Sequence, residues 1–261
     1  MEADVVSDLK RDYINRLLVE RKRIDGRSPD ELRHVEVQTG VVTSASGSAR
    51  VRWGATEVMV GVMVEQGTPF PDTPDRGVLV TNAELIPMAS PHFEPGPPRP
   101  ESIELARVVD RGIREAQTID LSKMCVTPKE KVYLTYVDMH VLDYGGNLFD
   151  AGLLGAMMAL NTATVPAKRF GNGEDFPLPV RHYPISITSV KVQSGLLVDP
   201  NLDEERVAET RLTVTTDENG DVRAMQKGLA GKLTFEEVQS IIQASQRCGA
   251  ELRKRLGLGV R

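Results

Sequence analysis

The sequence predicts an α/β (α+β) protein in which mixed sheets and helices are interleaved. Two blocks of short strand patterns, one before residue 86 and one after residue 184, are separated and flanked by helical patterns. The chain has 261 residues, enough for one large domain or two small ones. With 40% hydrophobic and 26% charged residues, its composition is that of an ordinary folded protein.

The amino-terminal third predicts a helix, a basic loop and four strands. Tyr13, Ile14, Leu17 and Leu18 have helical spacing within residues 7–19, and Ser7 could cap that helix. Period-2 alternation over residues 34–85 then predicts consecutive strands. Residues 87–100 contain six prolines and therefore predict a long loop.

The rest of the chain predicts a helix, a strand, a helix, four strands and a last helix. The first of these helices covers residues 101–117, the long strand covers 132–143, and Gly145-Gly146-Asn147 leads into the second helix. Asn219-Gly220 predicts a type I′ hairpin between the last two strands. Thr234 and Glu237 form a capping box that begins the last helix.

Composition limits the classes of function. No apolar run approaches the roughly 20 residues of a membrane span, and the first residues are acidic and polar, so we expect a cytoplasmic protein. Cys125 and Cys248 lack the spacing of a zinc site or a disulfide framework. The net charge of −5 means that any contact with nucleic acid must come from a local basic surface.

An acidic cluster over residues 199–209 leaves two interpretations open. It consists of Asp199, Asp203, Glu204, Glu205 and Glu209. Oxygen ligands of this kind can hold a magnesium ion. Carboxylates also gather at helix starts because the free N–H groups favour them, and Arg206 and Arg211 supply counter-charge. We favour the second interpretation and predict neither a metal site nor a cofactor.

A row of charged residues follows one face of the predicted helix 101–117. Glu104, Arg107, Arg111 and Arg114 are spaced by three, four and three residues. The arginines could contact phosphates, or they could pair internally, Asp110 with Arg114 and Arg111 with Glu115. Spacing alone favours internal pairing.

Several stretches, taken in order, resemble the RNase PH family of phosphorolytic RNA-degrading proteins. They are Arg23 to Arg27 with Glu31-Leu32-Arg33, Ser46 to Ala49 with Gly54-Ala55-Thr56, Ser102 to Arg107, Asp143 to Gly146, and Leu197 to Asn201. The resemblance covers roughly residues 21–255. It implies a two-layer α/β unit, six of which form a ring with a central pore. The Gly/Pro-rich stretch 170–184 is about as long as an ordinary loop, so we expect a single domain over 21–261, with a helical extension over residues 1–20.

The amino-terminal helix and the proline loop are most similar to the ring subunit of the archaeal exosome that pairs with the catalytic subunit. This resemblance implies three heterodimers in a hexameric ring, cap subunits with S1/KH-type domains, and RNA as substrate for 3′-to-5′ phosphorolytic degradation. It also implies that Arg107 and Arg111 point toward RNA near the partner's active site. With it, the functional interpretation of the row becomes the favoured one, and Arg107, Arg111 and Arg114 are the predicted RNA-binding residues.

Three departures from active members predict that this chain carries no catalytic residue. Glu101 stands where they hold phosphate with an arginine, Asn147-Leu148 follows the glycine pair where they have Thr/Ser, and Arg211 replaces a second aspartate. A glutamate facing the attacking phosphate would oppose it by roughly 4 kcal/mol at about 4 Å in an effective dielectric of about 20.

Two alternatives stay open at this point. One is a self-sufficient phosphorolytic 3′-to-5′ exoribonuclease that uses Asp199 and Glu205. The other is a metal-dependent hydrolase that uses the acids of residues 199–209.

Overall fold

The computed structural model describes residues 2–193 and 195–259 of the chain. It contains twelve strands and five α-helices in these ranges. The helices are α1 Glu2–Val19, α2 Pro100–Glu115, α3 Leu148–Asn161, α4 Leu202–Val207 and α5 Phe235–Leu256. The strands are β1 Val35–Thr39, β2 Gly47–Trp53, β3 Thr56–Gly67, β4 Val78–Leu85, β5 Cys125–Thr127, β6 Lys131–Asp143, β7 Thr164–Val165, β8 Phe176–Pro177, β9 Ile185–Val192, β10 Gly195–Val198, β11 Thr210–Thr216 and β12 Val222–Gly228. The predicted α/β class with interleaved sheets and helices is confirmed.

The first sheet has the strand order β1-β2-β3-β6-β4, with the short β5 also paired to β6. Its pairs are antiparallel except β4 with β6, which is parallel, so the sheet is mixed. From Tyr133 to Leu142 of β6 the buried and half-buried residues alternate, as the period-2 pattern of the sequence predicts. β4 forms one edge of the sheet and lies beside α2.

The second sheet has the order β10-β9-β11-β12 and is antiparallel throughout. α3 contacts both sheets, through β2 and β3 of the first and β9 of the second. Eleven of its fourteen residues are buried, and they include Gly152, Gly155 and Ala156. Small residues here let the helix approach the strands closely: a Cβ added at Gly155 would lie 2.7 Å from a methyl group of Val60.

The ends of the helices follow local sequence signals. The Thr234 side chain accepts from the backbone N–H of Glu237, and the Glu237 carboxylate accepts from the N–H of Thr234, which confirms the predicted capping box. Pro100 lies in the first turn of α2, where its missing N–H is not needed. Among the helices in the described part of the chain, none combines the length and the apolar character that crossing a bilayer requires.

Two local predictions were wrong. α1 begins at Glu2, so Ser7 lies inside the helix and does not cap it. The hairpin at Asn219-Gly220 forms, but it is not a type I′ turn, because only Gly220 has a positive φ. The carboxylate of Asp217 accepts from the backbone N–H groups of Asn219 and Asp221, and these bonds organise a longer loop.

Candidate nucleic-acid interface

The predicted arginine row lies on the exposed face of α2. Arg107 and Arg111 are exposed, and neither has a hydrogen-bond or ion-pair partner within residues 2–193 and 195–259. Arg114 is different: it pairs with Asp110 at 2.7 Å and donates to the Leu79 carbonyl at 2.7 Å. The internal pairing considered for this helix therefore forms at Arg114, whereas Arg111 does not pair with Glu115.

The row borders a groove of about 1260 Å³ between α2 and the edge strand β4. Five carboxylates share the lining with the three arginines, namely Glu84, Glu104, Asp110, Glu115 and Asp138. Four of them have polar partners: Glu104 pairs with Arg211, Asp110 pairs with Arg114, Asp138 accepts from Asn82, and Glu84 lies 3.3 Å from His140. The uncompensated positive charge of this groove is thus confined to Arg107 and Arg111.

Glu101, at the position where the family resemblance places a phosphate-binding arginine, is exposed in the first turn of α2. It lines a cavity of about 510 Å³ together with Tyr144 and residues of the proline loop. The ring of Tyr144 stacks on Phe93 with 5.3 Å between centroids, which holds the proline loop against the end of β6.

The start of α3 is occupied by a carboxylate of the chain itself. Glu205 accepts from the backbone N–H of Asn147 and from the Tyr144 hydroxyl, both at 3.1 Å. A helix start of this kind attracts anions because its N–H groups are unpaired and its dipole is positive there. Burial, and then the neighbouring Glu205 carboxylate, raise the pKa of Tyr144.

Arg211 completes this cluster from β11. Its guanidinium lies over the Phe149 ring at 4.3 Å, pairs with Glu104 at 2.6 Å and approaches Glu205 at 3.9 Å. The family resemblance implies an aspartate at this position, so the arginine inverts the expected charge. Through these three contacts, Arg211 connects β11 to α2, α3 and α4.

The acidic cluster does not form one site. Asp199 is fully buried and accepts from the backbone and side chain of Arg33, from Trp53 Nε1 and from Asn147 Nδ2, over 2.7 to 3.2 Å. Arg27 adds a further contact at 3.2 Å. Burial alone would raise the pKa of Asp199, but the hydrogen bonds and charge of Arg33 hold that pKa below its ordinary value.

Glu204 and Asp203 of the cluster have partners of their own, and Glu209 is exposed. Glu204 forms a buried pair with Arg23 and closes a capping box with Asn201. Asp203 pairs with Lys10 of α1 at 2.6 Å on the surface. Within the described residues, no group of three or more His, Cys, Asp or Glu side chains is arranged to hold a metal ion. The favoured interpretation, carboxylates at a helix start, agrees with this geometry, but much of the counter-charge comes from the basic segment 21–33.

The glycine pair before α3 is required by close packing. A Cβ on Gly145 would lie 2.6 Å from that of Ala55, and one on Gly146 would lie 2.6 Å from the backbone of Asn201. Both carbonyls are already used, since Arg33 donates to each of them. Glycine at positions 145 and 146 thus allows the turn between β6 and α3 to pack directly against neighbouring backbone.

Asn147 adopts the left-handed conformation, with φ 56°, and its side chain is buried. Its amide nitrogen donates to Asp199 at 2.8 Å and to Asp150 at 2.7 Å. Because both neighbours are carboxylates, the nitrogen must face them. Burial raises the pKa of Asp150 to about 7 despite the hydrogen bonds from Asn147 and Thr188. No sequence pattern predicted that the Asn147 side chain would link the carboxylates of Asp150 and Asp199.

Two sheets that enclose α2 and α3, with a cluster of ionisable residues at the start of α3, define an α/β protein with the RNase PH type of fold. Comparison with known families agrees. The model of the 3′ exoribonuclease family, domain 1, matches residues 31–166, and the model of domain 2 matches residues 182–248. The chain belongs to the 3′ exoribonuclease (RNase PH) family, which confirms the resemblance found in its motifs.

Relatives and solved structures match over nearly the whole chain. The exosome complex component Rrp42 of Methanocella arvoryzae is 49% identical over 98% of both chains. A chain of the Archaeoglobus fulgidus exosome with RNA bound to the active site is 50% identical, with a TM-score of 0.93 over 97% of this chain and 99% of that one. A chain of an archaeal exosome core is 47% identical, with a TM-score of 0.90 over 98% and 99%.

Proposed function

We propose that this chain is a non-catalytic subunit of an exosome that degrades RNA from its 3′ end by phosphorolysis. The similarity to Rrp42 proteins over nearly the full length supports membership of such a complex. The proposal places the chain in the cytoplasm, beside a catalytic RNase PH-like homologue, as three heterodimers in a hexameric ring that carries S1/KH-type cap subunits.

The observation that carries the non-catalytic role is the Glu205 carboxylate at the start of α3. Inorganic phosphate must approach the phosphodiester of RNA, so an active site needs a positive cradle for two anionic groups. Here Glu101, Glu104 and Glu205 are opposed by Arg211 and the exposed Arg206. Arg99 also lines the cavity beside Glu101, but it pairs with Glu94. One carboxylate already accepts the N–H group at the helix start. An attacking phosphate would therefore meet a site where carboxylates outnumber cations and where Glu205 already accepts the Asn147 N–H group.

The same structure supports an RNA-binding role for the α2 row. Arg107 and Arg111 are exposed on one helix face and lack carboxylate partners in the described parts of the chain. Two cations four residues apart repel each other, and a polyanion beside them offsets the cost of that repulsion. Arg114 extends the row, although Asp110 shares its charge. Contacts of this kind go to the phosphate backbone and do not depend on base sequence.

We further propose that residues 21–261 act as one structural unit with residues 1–20 as an extension. One continuous core cluster supports this division, since it contains Val35 from the first matched segment together with Ile185, Cys248 and Leu258 from beyond it. α1 packs on the outside, where Ile14 contributes to a separate small cluster with Val190 and Leu197.

The RNA role is tested by the double substitution Arg107→Ala and Arg111→Ala in the ring assembled with a catalytic homologue. Each lost phosphate contact should reduce the slope of log K against log salt by about 0.7 for single-stranded RNA. Two contacts reduce it by about 1.4, so the affinity advantage of the wild type should shrink by about 7-fold between about 50 and 200 mM salt.

Binding is measured by fluorescence anisotropy of a labelled RNA, with native mass measurement to verify assembly. Arg16→Ala is the matched control, because Arg16 is an exposed arginine on α1, which lies at the β9/β10 side of the second sheet, away from β12 and the groove. An assembled double variant with the wild-type salt slope would refute the RNA role of the row.

A further inference from the structure

A second cavity, of about 440 Å³, continues the groove beside α2. The two spaces share Leu79 and Arg114 in their linings, so Arg114 stands where one opens into the other. Beyond Arg114, the second cavity is lined by Arg76 from the loop before β4 and by Arg181 from the segment before β9. The sequence patterns gave neither residue a role.

The balance of charge differs between the two spaces. In the first groove three arginines face five carboxylates. In the second cavity three arginines face one carboxylate, that of Asp120, which is buried and already accepts from Ser122 and Arg181. Arg114 is shared with the first groove and pairs there with Asp110, so Arg76 and Arg181 supply the positive charge that belongs to this cavity alone. Lys123 adds a further positive charge 3.9 Å from Asp120. The second cavity is therefore the more favourable part of this surface for an anion.

The guanidinium groups of Arg76 and Arg181 have N–H donors that are not used within the described residues. Arg76 is exposed and has no side-chain partner in the described ranges. Arg181 is half exposed and uses Nη2 for Asp120, and a guanidinium has five N–H donors in a planar fork that suits phosphate oxygens. Together they can contact a phosphodiester from two sides of the cavity.

The backbone around the cavity is firmly connected. Gly77 donates to the Leu121 carbonyl at 2.8 Å, and a Cβ on Gly77 would lie 2.4 Å from the Cβ of Met124. Asp120 donates to the Pro179 carbonyl at 2.9 Å, and the backbone of Arg181 donates to Thr118 at 2.7 Å. The three segments that carry Arg76, Asp120 and Arg181 are thus tied together before any ligand arrives, which lowers the cost of binding.

We propose that Arg76 and Arg181 bind a further phosphate of the same single-stranded RNA that contacts Arg107 and Arg111. This inference rests on the proposed function and extends its RNA path. Arg107 and Arg114 are seven residues apart, about 10 Å along the helix axis, so the row leads directly to the mouth of the second cavity. Continuity with that row favours RNA over an acidic protein surface as the occupant.

The test compares salt slopes of RNA binding by the assembled ring, with a labelled oligoadenylate as the probe. Arg76→Ala should lower the slope by about 0.7, and so should Arg181→Gln, whose amide can still donate to Asp120. The charge-retaining Arg76→Lys should keep most of the slope, and Arg16→Ala should leave it unchanged. Arg107→Ala with Arg111→Ala is measured in parallel.

The outcomes separate this inference from the proposed function. Lower slopes for Arg76→Ala and Arg181→Gln in intact rings support the second phosphate contact. Unchanged slopes for these two, with a lowered slope for Arg107→Ala and Arg111→Ala, overturn the inference and leave the proposed RNA role standing. If Arg76→Ala impairs assembly without changing the slope, the cavity binds protein and the inference is wrong. If every variant keeps the wild-type salt slope, both the second phosphate contact and the RNA role of Arg107 and Arg111 are wrong.

Discussion

Asp199→Asn distinguishes a structural carboxylate from a catalytic one. Asn has nearly the same shape, but it removes the charge and turns an N–H₂ group toward donors of Arg33 or Trp53. Removing one partner of a buried ion pair typically costs about 3–5 kcal/mol, because the remaining charge is left uncompensated. Asp199 and Arg33 are both buried, so we expect a loss in this range.

The loss is measured as the free energy of unfolding of the isolated chain, by urea titration followed by circular dichroism. Asp203→Asn is the matched control, because the Asp203 carboxylate lies six positions or fewer from the other acids yet pairs with Lys10 on the surface. Exposed pairs contribute at most about 1 kcal/mol, and the control should therefore stay within that value of the wild type.

The opposite pattern would refute this reasoning. If Asp199→Asn keeps the wild-type stability and assembles normally, but abolishes RNA degradation by the ring, then Asp199 acts in the chemistry. The structure predicts instead that any activity lost by the ring follows from loss of the folded subunit.

Two further predictions concern the start of α3. The pKa of Asp150 is about 7 in the folded chain against 3.8 for an ordinary aspartate, so the folded state keeps a proton that the unfolded state releases. The stability of the wild type relative to Asp150→Asn should fall by about 1.4 kcal/mol per pH unit between about pH 4 and 7. Urea titrations across that range measure it, and a constant difference would contradict the assigned pKa. Gly146→Ala should destabilise the chain by more than about 2 kcal/mol, since it combines a φ of 94° with a backbone clash at 2.6 Å. Gly40→Ala, with φ 70° and open space around it, should cost only about 1 kcal/mol in the same assay.

Local patterns predicted the elements well because their causes are local. The alternation along β6 reflects one strand between two environments, and the Thr234 and Glu237 capping box needs only four consecutive residues. The turn at Asn219-Gly220 shows the limit of such signals. Its geometry is decided by the Asp217 carboxylate, which the dipeptide pattern ignores.

The charges of the site could not be paired from the sequence. Asp199 meets Arg33 across 166 positions, and Glu204 meets Arg23 across 181 positions. The neighbouring Arg206 and Arg211 were the nearest counter-charges in the sequence, and only Arg211 pairs within the cluster. Spacing on α2 correctly identified the Asp110–Arg114 pair as possible, but it could not tell that Arg111 and Glu115 stay apart.

Asn147 illustrates a residue whose role depends on the folded state alone. As a departure from the family pattern it predicted the loss of an active site. In the structure it bridges two buried carboxylates from a left-handed conformation, which asparagine tolerates better than threonine. Asp150 and Asp199 hold its side chain inside the fold, and neither carboxylate is part of the sequence pattern that singled out Asn147.

We propose that the chain does not cleave RNA unaided, because the Glu205 carboxylate accepts the N–H group at the start of α3, where an anion would bind. The direct measurement is release of nucleoside diphosphates from RNA and inorganic phosphate, for the purified chain and for its mixture with a catalytic homologue. We expect no release from the chain alone and sustained release from the mixture. Sustained phosphate-dependent release by the chain alone would contradict the account.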